Sequence, residues 1–208
     1  MRIRNAESAD GHALYEICLR TGADGGDATG TYAHPRLLGE VWVGPYLRFE
    51  PSLAFVLEDD GGEVVGYVLG ARHTAAFEAA CERSWWPELR ARYPLDAFPP
   101  DSPDAAVVRR IHAPPSTPAD IVSPFPAHLH IDLLPAAQGG GNGRRLLETL
   151  FAELVRAGAG GVHLGVSRSN VRAVGFYRRM GFGVLQDLPG AHWMGRRLDA
   201  STTLADGA

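Results

Sequence analysis

The 208-residue sequence predicts an α/β domain. Three observations carry the prediction. Apolar runs at residues 52–58 and 63–71 flank Asp59-Asp60-Gly61-Gly62, a hairpin signature. Residues 141–157 set Leu146, Leu147, Leu150, Phe151 and Leu154 on one face of a helix. That helix follows an apolar strand, residues 128–134, through a glycine-rich turn, and another strand (161–166) and helix (170–180) come next.

The remaining elements follow in order. Residues 2–6 read as a short edge strand. Ser8 stands at an N-cap position before Ala13, Leu14, Ile17 and Cys18 at helical spacing. Residues 22–30 are a Gly/Asp-rich loop, and 35–43 a second short helix with Pro35 in its first turn. Residues 74–93 keep helical spacing in Phe77, Ala80, Cys81 and Leu89, with a kink or split expected at Trp85-Trp86-Pro87. The Pro-rich stretch 94–126, with a short helix at 104–112, is too long for a simple connection. Gly181 stops the helix at 170–180, and residues 182–188 and 192–197 close as paired strands. Residues 1–198 are expected to form a single domain and 199–208 a polar C-terminal tail. There are no internal repeats.

Composition removes several functions. With 45% hydrophobic and 21% charged residues, a mainly disordered chain is excluded. No run approaches the ~20 apolar residues that span a bilayer, and Met-Arg-Ile-Arg-Asn precedes no apolar segment, so a cytoplasmic location is expected. All twenty basic residues are Arg, which removes the lysine of phosphate-loop nucleotide hydrolases, any Schiff-base lysine and the strand lysine of protein kinases. Cys18 and Cys81 alone make neither a disulfide framework nor a four-ligand zinc site, and both sit in apolar helical patterns. No His/Cys/Asp spacing suggests a metal, so none is expected. Residues 1–127 hold 11 Arg against 18 acids, whereas 128–198 hold 9 Arg against 4. A basic half in a chain of net charge −4 suits an anionic ligand there and argues against nucleic acid as a partner.

The sharpest feature runs from Ile131 to Leu146: Ile-Asp-Leu-Leu-Pro-Ala-Ala-Gln-Gly-Gly-Gly-Asn-Gly-Arg-Arg-Leu. A strand ends, glycines let backbone amides approach a ligand, and a helix N-terminus adds unpaired donors and partial positive charge, together a phosphate cradle. Arg144 and Arg145 oppose the helix dipole unless a polyanion binds. The dinucleotide pattern G-x-G-x-x-G fails: counted from Gly139 it meets Arg144, counted from Gly141 it meets Leu146, and no acid ends the next strand. The pattern Q/R-x-x-G-x-G/A is met by Gln138, Gly141 and Gly143. A glycine-rich loop without a ligand stays open as an alternative. Downstream stands Asn170-x-x-Ala173-x-x-Phe176-Tyr177-x-x-x-Gly181-Phe182.

On these two motifs in this order, the chain resembles the Gcn5-related N-acetyltransferase (GNAT) superfamily, over roughly Arg2–Leu198 and most strongly from Leu129 to Phe182. Val43-Gly44-Pro45-Tyr46, Phe55–Asp59, Gly66–Gly70 and Ser84-Trp85-Trp86-Pro87 also resemble the acetyltransferase-like C-terminal domain of animal O-GlcNAcases and its bacterial relatives. In the animal domain the glycine loop is degenerate; here Gln138, Gly141 and Gly143 remain. The resemblance implies the GNAT fold, a mixed central β-sheet flanked by helices, with 94–126 inserted before the central cofactor strand. It implies acetyl-CoA as cosubstrate and a small-molecule, amino-sugar-like or peptide amine as acceptor, in a monomer or homodimer without nucleic-acid or membrane partners.

It also implies roles. Gln138 and the backbone of Gly139, Gly140, Gly141, Asn142, Gly143 and Arg144 hold the pyrophosphate, with Arg144, Arg145 or Arg172 at phosphate. Leu133 and Leu134 hydrogen-bond the pantetheine as an added strand and polarise the thioester carbonyl. Asn170 and Phe176 border the pantetheine arm, and Tyr177 protonates the leaving thiolate. Asp132, His130 and His128 alternate onto one strand face and are candidates for the base, Asp132 first. Residues 22–30, 94–126 and Trp85-Trp86 select the acceptor. A non-catalytic module binding CoA or a protein is the competing reading, and a nicotinamide oxidoreductase is disfavoured by Arg144.

Overall fold

A computed structural model describes residues 1–199; of the expected tail, residues 200–208 lie outside the described residues. Strand β1 (Arg2–Asn5) leads through a 3-10 turn to α1 (Gly11–Thr21). Ser8 does not cap this helix: Asp10 accepts the Glu7 amide at 2.7 Å and closes the turn. Helix α2 (Leu37–Trp42) is followed by α3 (Gly44–Phe49), a helix not anticipated from sequence. β2 (Ala54–Glu58) and β3 (Val64–Ala71) form the hairpin, whose Asp59 carboxylate accepts the amides of Gly61 and Glu63 at 2.8 and 3.0 Å. The helical stretch that follows is split at Trp85 into α4 (Thr74–Ser84) and α5 (Trp86–Arg92).

The Pro-rich insertion is structured. Ser102 caps α6 (Pro103–His112), accepting the Ala105 amide at 3.1 Å. Buried Asp104 accepts the amides of Ala33 and His34 at 3.0 and 2.9 Å, tying the insertion to the loop after α1. A short α7 (Ala119–Val122) precedes β4 (Ala127–Leu133). Then come α8 (Asn142–Arg156), β5 (Gly161–Ser167), α9 (Val171–Arg179), β6 (Gly183–Asp187) and β7 (Ala191–Arg197).

The seven strands form one mixed sheet in the order β1-β2-β3-β4-β5-β7-β6. β7 lies between β5 and β6, so β6 forms an edge. Strand alternation divides the core. Phe55, Leu57, Val68, Leu129 and Ile131 face α8, whose Leu146, Leu147, Leu150 and Leu154 are fully buried at ~1.5–3 kcal/mol each. Val56, Tyr67 and Leu69 face the opposite layer with Leu14, Ile17 and Leu37. His128, His130 and Asp132 lie on this second side of β4, where an apolar pattern is broken. No helix among the described residues is long and apolar enough to cross a membrane.

Candidate active site

The sheet opens at its centre. β4 and β5 run parallel but pair only at Ala127–Val162 and His128–His163. Past those pairs the strands separate, leaving one side of β4 without a neighbour. Alternation decides which backbone groups face the gap. The Leu134 amide donates to the Val65 carbonyl at 2.9 Å, so it is committed to β3. This corrects the expected role of Leu134 as a pantetheine donor. Leu133 and Ile131, one and three residues earlier, present their backbone to the opposite side, into the gap. The sequence does not reveal the register that turns the Ile131 backbone to the gap. The Leu133 carbonyl accepts Gln138 Nε2 at 2.8 Å, so Gln138 braces the loop and its amide nitrogen is occupied.

Past β4 the chain turns through Gly139, Gly140 and Gly141 at φ of 79°, 54° and 79°, a left-handed run that side chains resist. The first intrahelical bond of α8 joins the Arg145 amide to the Gly141 carbonyl at 3.0 Å. The amides of Gly143 and Arg144 therefore lack helix acceptors. A Cβ on Gly143 would sit 3.1 Å from Phe176 Cζ, so the loop touches α9 through the absence of a side chain. The Asn142 side chain does not reach outward: it is buried and donates to the Ala137 carbonyl at 3.0 Å. Arg145 has Nη1 and Nη2 directed at the Met1 carbonyl at 3.5 and 3.4 Å. Arg144 pairs with Glu148 at 3.5 Å on the surface, and Arg172 is exposed. Open left-handed backbone, free first-turn amides and a nearby arginine fit a pyrophosphate group.

Asn170 caps α9, accepting the Ala173 amide at 3.0 Å, and so sets the pitch of the helix that carries Phe176 and Tyr177. Tyr177 is buried against Phe176 and Phe182, at ring separations of 5.4 and 5.6 Å. Burial, then the Asp132 charge, pushes its phenol well above the usual range, so it stays protonated. Its hydroxyl makes no hydrogen bond among the described residues and borders the central cavity.

The polar face of β4 lines the same cavity. Asp132 accepts the Tyr67 hydroxyl at 2.5 Å, across the strand pair Tyr67–Asp132. His130 Nε2 lies 3.0 Å from Asp132 Oδ2. Burial works against a charged His130, but the Asp132 carboxylate outweighs it and lifts the imidazole to about 10. His128 goes the other way: burial, then its neighbours His163 and His130, lowers it to about 3, so the ring is neutral. Its Nδ1 lies 2.9 Å from Thr74 Oγ1. His128 and Asp132 thus share a face but not an environment. Tyr67 and Cys18 join this cluster; Tyr67 was not singled out from sequence, and Cys18 was read there only as part of an apolar helical pattern. The one trace of Tyr67 was a phenol in an otherwise apolar strand.

The cavity, about 1190 Å³, runs from Asn170 and Tyr177 past Asp132 to Trp86. Insertion residues Pro114–Thr117 form part of its wall. Thr117 is held there by Glu78, which accepts its amide at 3.0 Å and its hydroxyl at 2.7 Å.

A sheet parted beside an amide loop, with an acid–phenol cavity behind it, suits a phosphorylated carrier and a second substrate. The chain belongs to the acetyltransferase (GNAT) family, whose profile matches residues 27–182. It is similar to the crystal structure of SsHAT, at 39% identity over 95% of this chain and 98% of that one, with a TM-score of 0.89. It shares its fold with Naa20 of Chaetomium thermophilum, solved with a bisubstrate analogue (19% identity, 99% and 90% covered, TM-score 0.55). It also shares it with the ribosomal-protein-S18-alanine N-acetyltransferase of Escherichia coli (19% identity, 95% and 94% covered, TM-score 0.52).

Proposed function

We propose that this chain transfers the acetyl group of acetyl-CoA directly to an amine held in the cavity beside Asp132. The observation that carries the reading is the unpartnered Tyr177 hydroxyl in the same cavity as Asp132, next to the gap between β4 and β5. Acetyl-CoA supplies an acetyl group activated as a thioester. The amides of Gly143 and Arg144 and the N-terminus of α8 hold the pyrophosphate. Backbone groups of Ile131 and Leu133 align the arm along β4, and an amide there polarises the carbonyl. The amine nitrogen bonds to the carbonyl carbon as the carbon–sulfur bond breaks. Asp132, held by Tyr67, takes the amine proton, and Tyr177 donates to the departing sulfur. Gln138 and Asn170 position the loop and α9.

We also infer kinship with the acetyltransferase-like domain of O-GlcNAcases. The segments that carry it lie close in space: a Cβ on Gly44 would lie 2.4 Å from the Trp85 ring, and Tyr46 meets the His128 ring edge-to-face at 5.5 Å. In this reading residues 1–198 act as one domain. Calorimetric titration with acetyl-CoA, followed by free-thiol release over a panel of amines, tests the function. Binding with amine-dependent thiol release supports it. Binding without release from any amine overturns it in favour of a CoA-binding module, and absence of binding overturns both.

A further inference from the structure

Cys18 of α1 and His130 and Asp132 of β4 converge at one point of the cavity wall. One ligating atom of each, a sulfur, an imidazole nitrogen and a carboxylate oxygen, lies within 4.8 Å of the other two. His130 Nε2 is buried and lies 3.0 Å from Asp132 Oδ2, in a contact without hydrogen-bond alignment. Fully buried Tyr67 grips Asp132 from behind, as outer partners grip metal-binding carboxylates.

We propose that Cys18, His130 and Asp132 form a three-ligand site for a divalent cation of the zinc class, with the fourth position open to the cavity. Tetrahedral zinc takes sulfur at ~2.3 Å and nitrogen or oxygen at ~2.0–2.2 Å, which puts the ligand atoms roughly 3.3–3.7 Å apart. The trio reaches that spacing when contacts of up to 4.8 Å close by about 1 Å and the 3.0 Å His130–Asp132 pair opens by a few tenths of an ångström, within side-chain rotation. Thiolate and imidazole select zinc-class ions over magnesium or calcium. One thiolate and one carboxylate balance the double positive charge, and binding releases the Cys18 thiol proton and the His130 ring proton. The sequence expectation of no metal missed this site because its ligands are 112 residues apart and meet only when α1 crosses β4. An ion there occupies Asp132 and stops acetyl transfer. That consequence rests on the proposed function; the binding site does not.

The experiment titrates the metal-free full chain with cobalt(II) as a spectroscopic stand-in, then displaces it with zinc. A thiolate-to-cobalt charge-transfer band saturating at one equivalent is expected, with visible bands of four-coordinate intensity. Cys18→Ser abolishes the charge-transfer band and weakens zinc binding by more than ~100-fold, beyond the loss of an outer partner. Cys81→Ser, which alters the other buried cysteine, leaves the band intact. His130→Gln weakens cobalt binding independently of Cys18. No band in the wild type, or one that survives in Cys18→Ser, overturns the site. Acetyl-CoA titrated into the same samples separates the two proposals: cobalt ignored while acetyl-CoA binds removes the metal site and leaves the transfer reading standing.

Discussion

Tyr177→Phe separates chemistry from architecture. The ring is buried against Phe176 and Phe182, and phenylalanine keeps those contacts. The hydroxyl removed has no partner among the described residues, so no protein donor or acceptor is orphaned. Its loss is therefore near neutral for folding, within ~0.5 kcal/mol, which for a chain of this size moves the melting temperature by no more than ~2 °C. The proposed function assigns the pyrophosphate and pantetheine contacts to other residues, so acetyl-CoA affinity is expected to stay within about twofold. Only proton delivery to the sulfur is lost. A general acid contributes about 10²-fold, or ~2.7 kcal/mol of barrier. Thermal melts, calorimetry and thiol-release kinetics measured on one preparation read all three quantities. The expected result is an unchanged melt, unchanged affinity and kcat lower by about two orders of magnitude. A kcat within threefold of wild type, with binding intact, removes Tyr177 from the mechanism.

Asp132→Asn keeps the shape of the carboxylate and removes its proton affinity. Turnover falls by ~10²–10⁴-fold in thiol-release assays while acetyl-CoA binding is retained, and retained turnover would assign the base elsewhere. Asn170→Ala deletes the cap of α9 and costs about 1 kcal/mol by denaturant unfolding, with a higher KM for acetyl-CoA. Arg4 forks onto Asp10 at 2.7 and 2.8 Å and reaches Glu58 at 2.6 Å, joining β1, the first turn and β2. The Arg4 hydrogen bonds hold the Asp10 carboxyl below the usual carboxylate range despite its burial. A lowered carboxyl contributes stability above its unfolded value and loses it as pH falls through the folded one. Arg4→Gln therefore lowers the melting temperature at pH 7, by at least ~2 °C. The gap to wild type narrows as pH is taken below about 4, and a gap independent of pH would contradict the linkage.

Sequence reading reached furthest where a local rule acts alone. The Asp59–Gly62 hairpin, the buried stripe of α8, the break at Trp85 and the end of α9 at Gly181 each depend on neighbours in the chain, and each stands in the fold. It stopped where the outcome depends on distant partners. Helix α3 is buried on most of its surface, so Gly44–Phe49 shows no amphipathic period. The commitment of Leu134 to Val65, the turn of Arg145 toward Met1 and the meeting of Cys18 with His130 are set by register and crossing. None of these has a signal in residue spacing. At the site, the alternation of His128, His130 and Asp132 was legible. Their opposite electrostatics were not, because Asp132 lifts His130 while burial lowers His128.

Acetyl-CoA binding in the proposed function depends on the amide loop between β4 and α8. Calorimetry of the wild type and of Gly141→Glu with acetyl-CoA tests it most directly. In the variant, a carboxylate enters the pyrophosphate position from a residue whose φ of 79° is left-handed, with nothing within 4 Å of its Cβ. Backbone strain of ~1–3 kcal/mol accompanies the change, so a melting curve first establishes that the variant is folded. Saturable, enthalpic binding to the wild type and none to the folded variant is the predicted result. Equal binding by both, or none by the wild type at millimolar acetyl-CoA, contradicts the account.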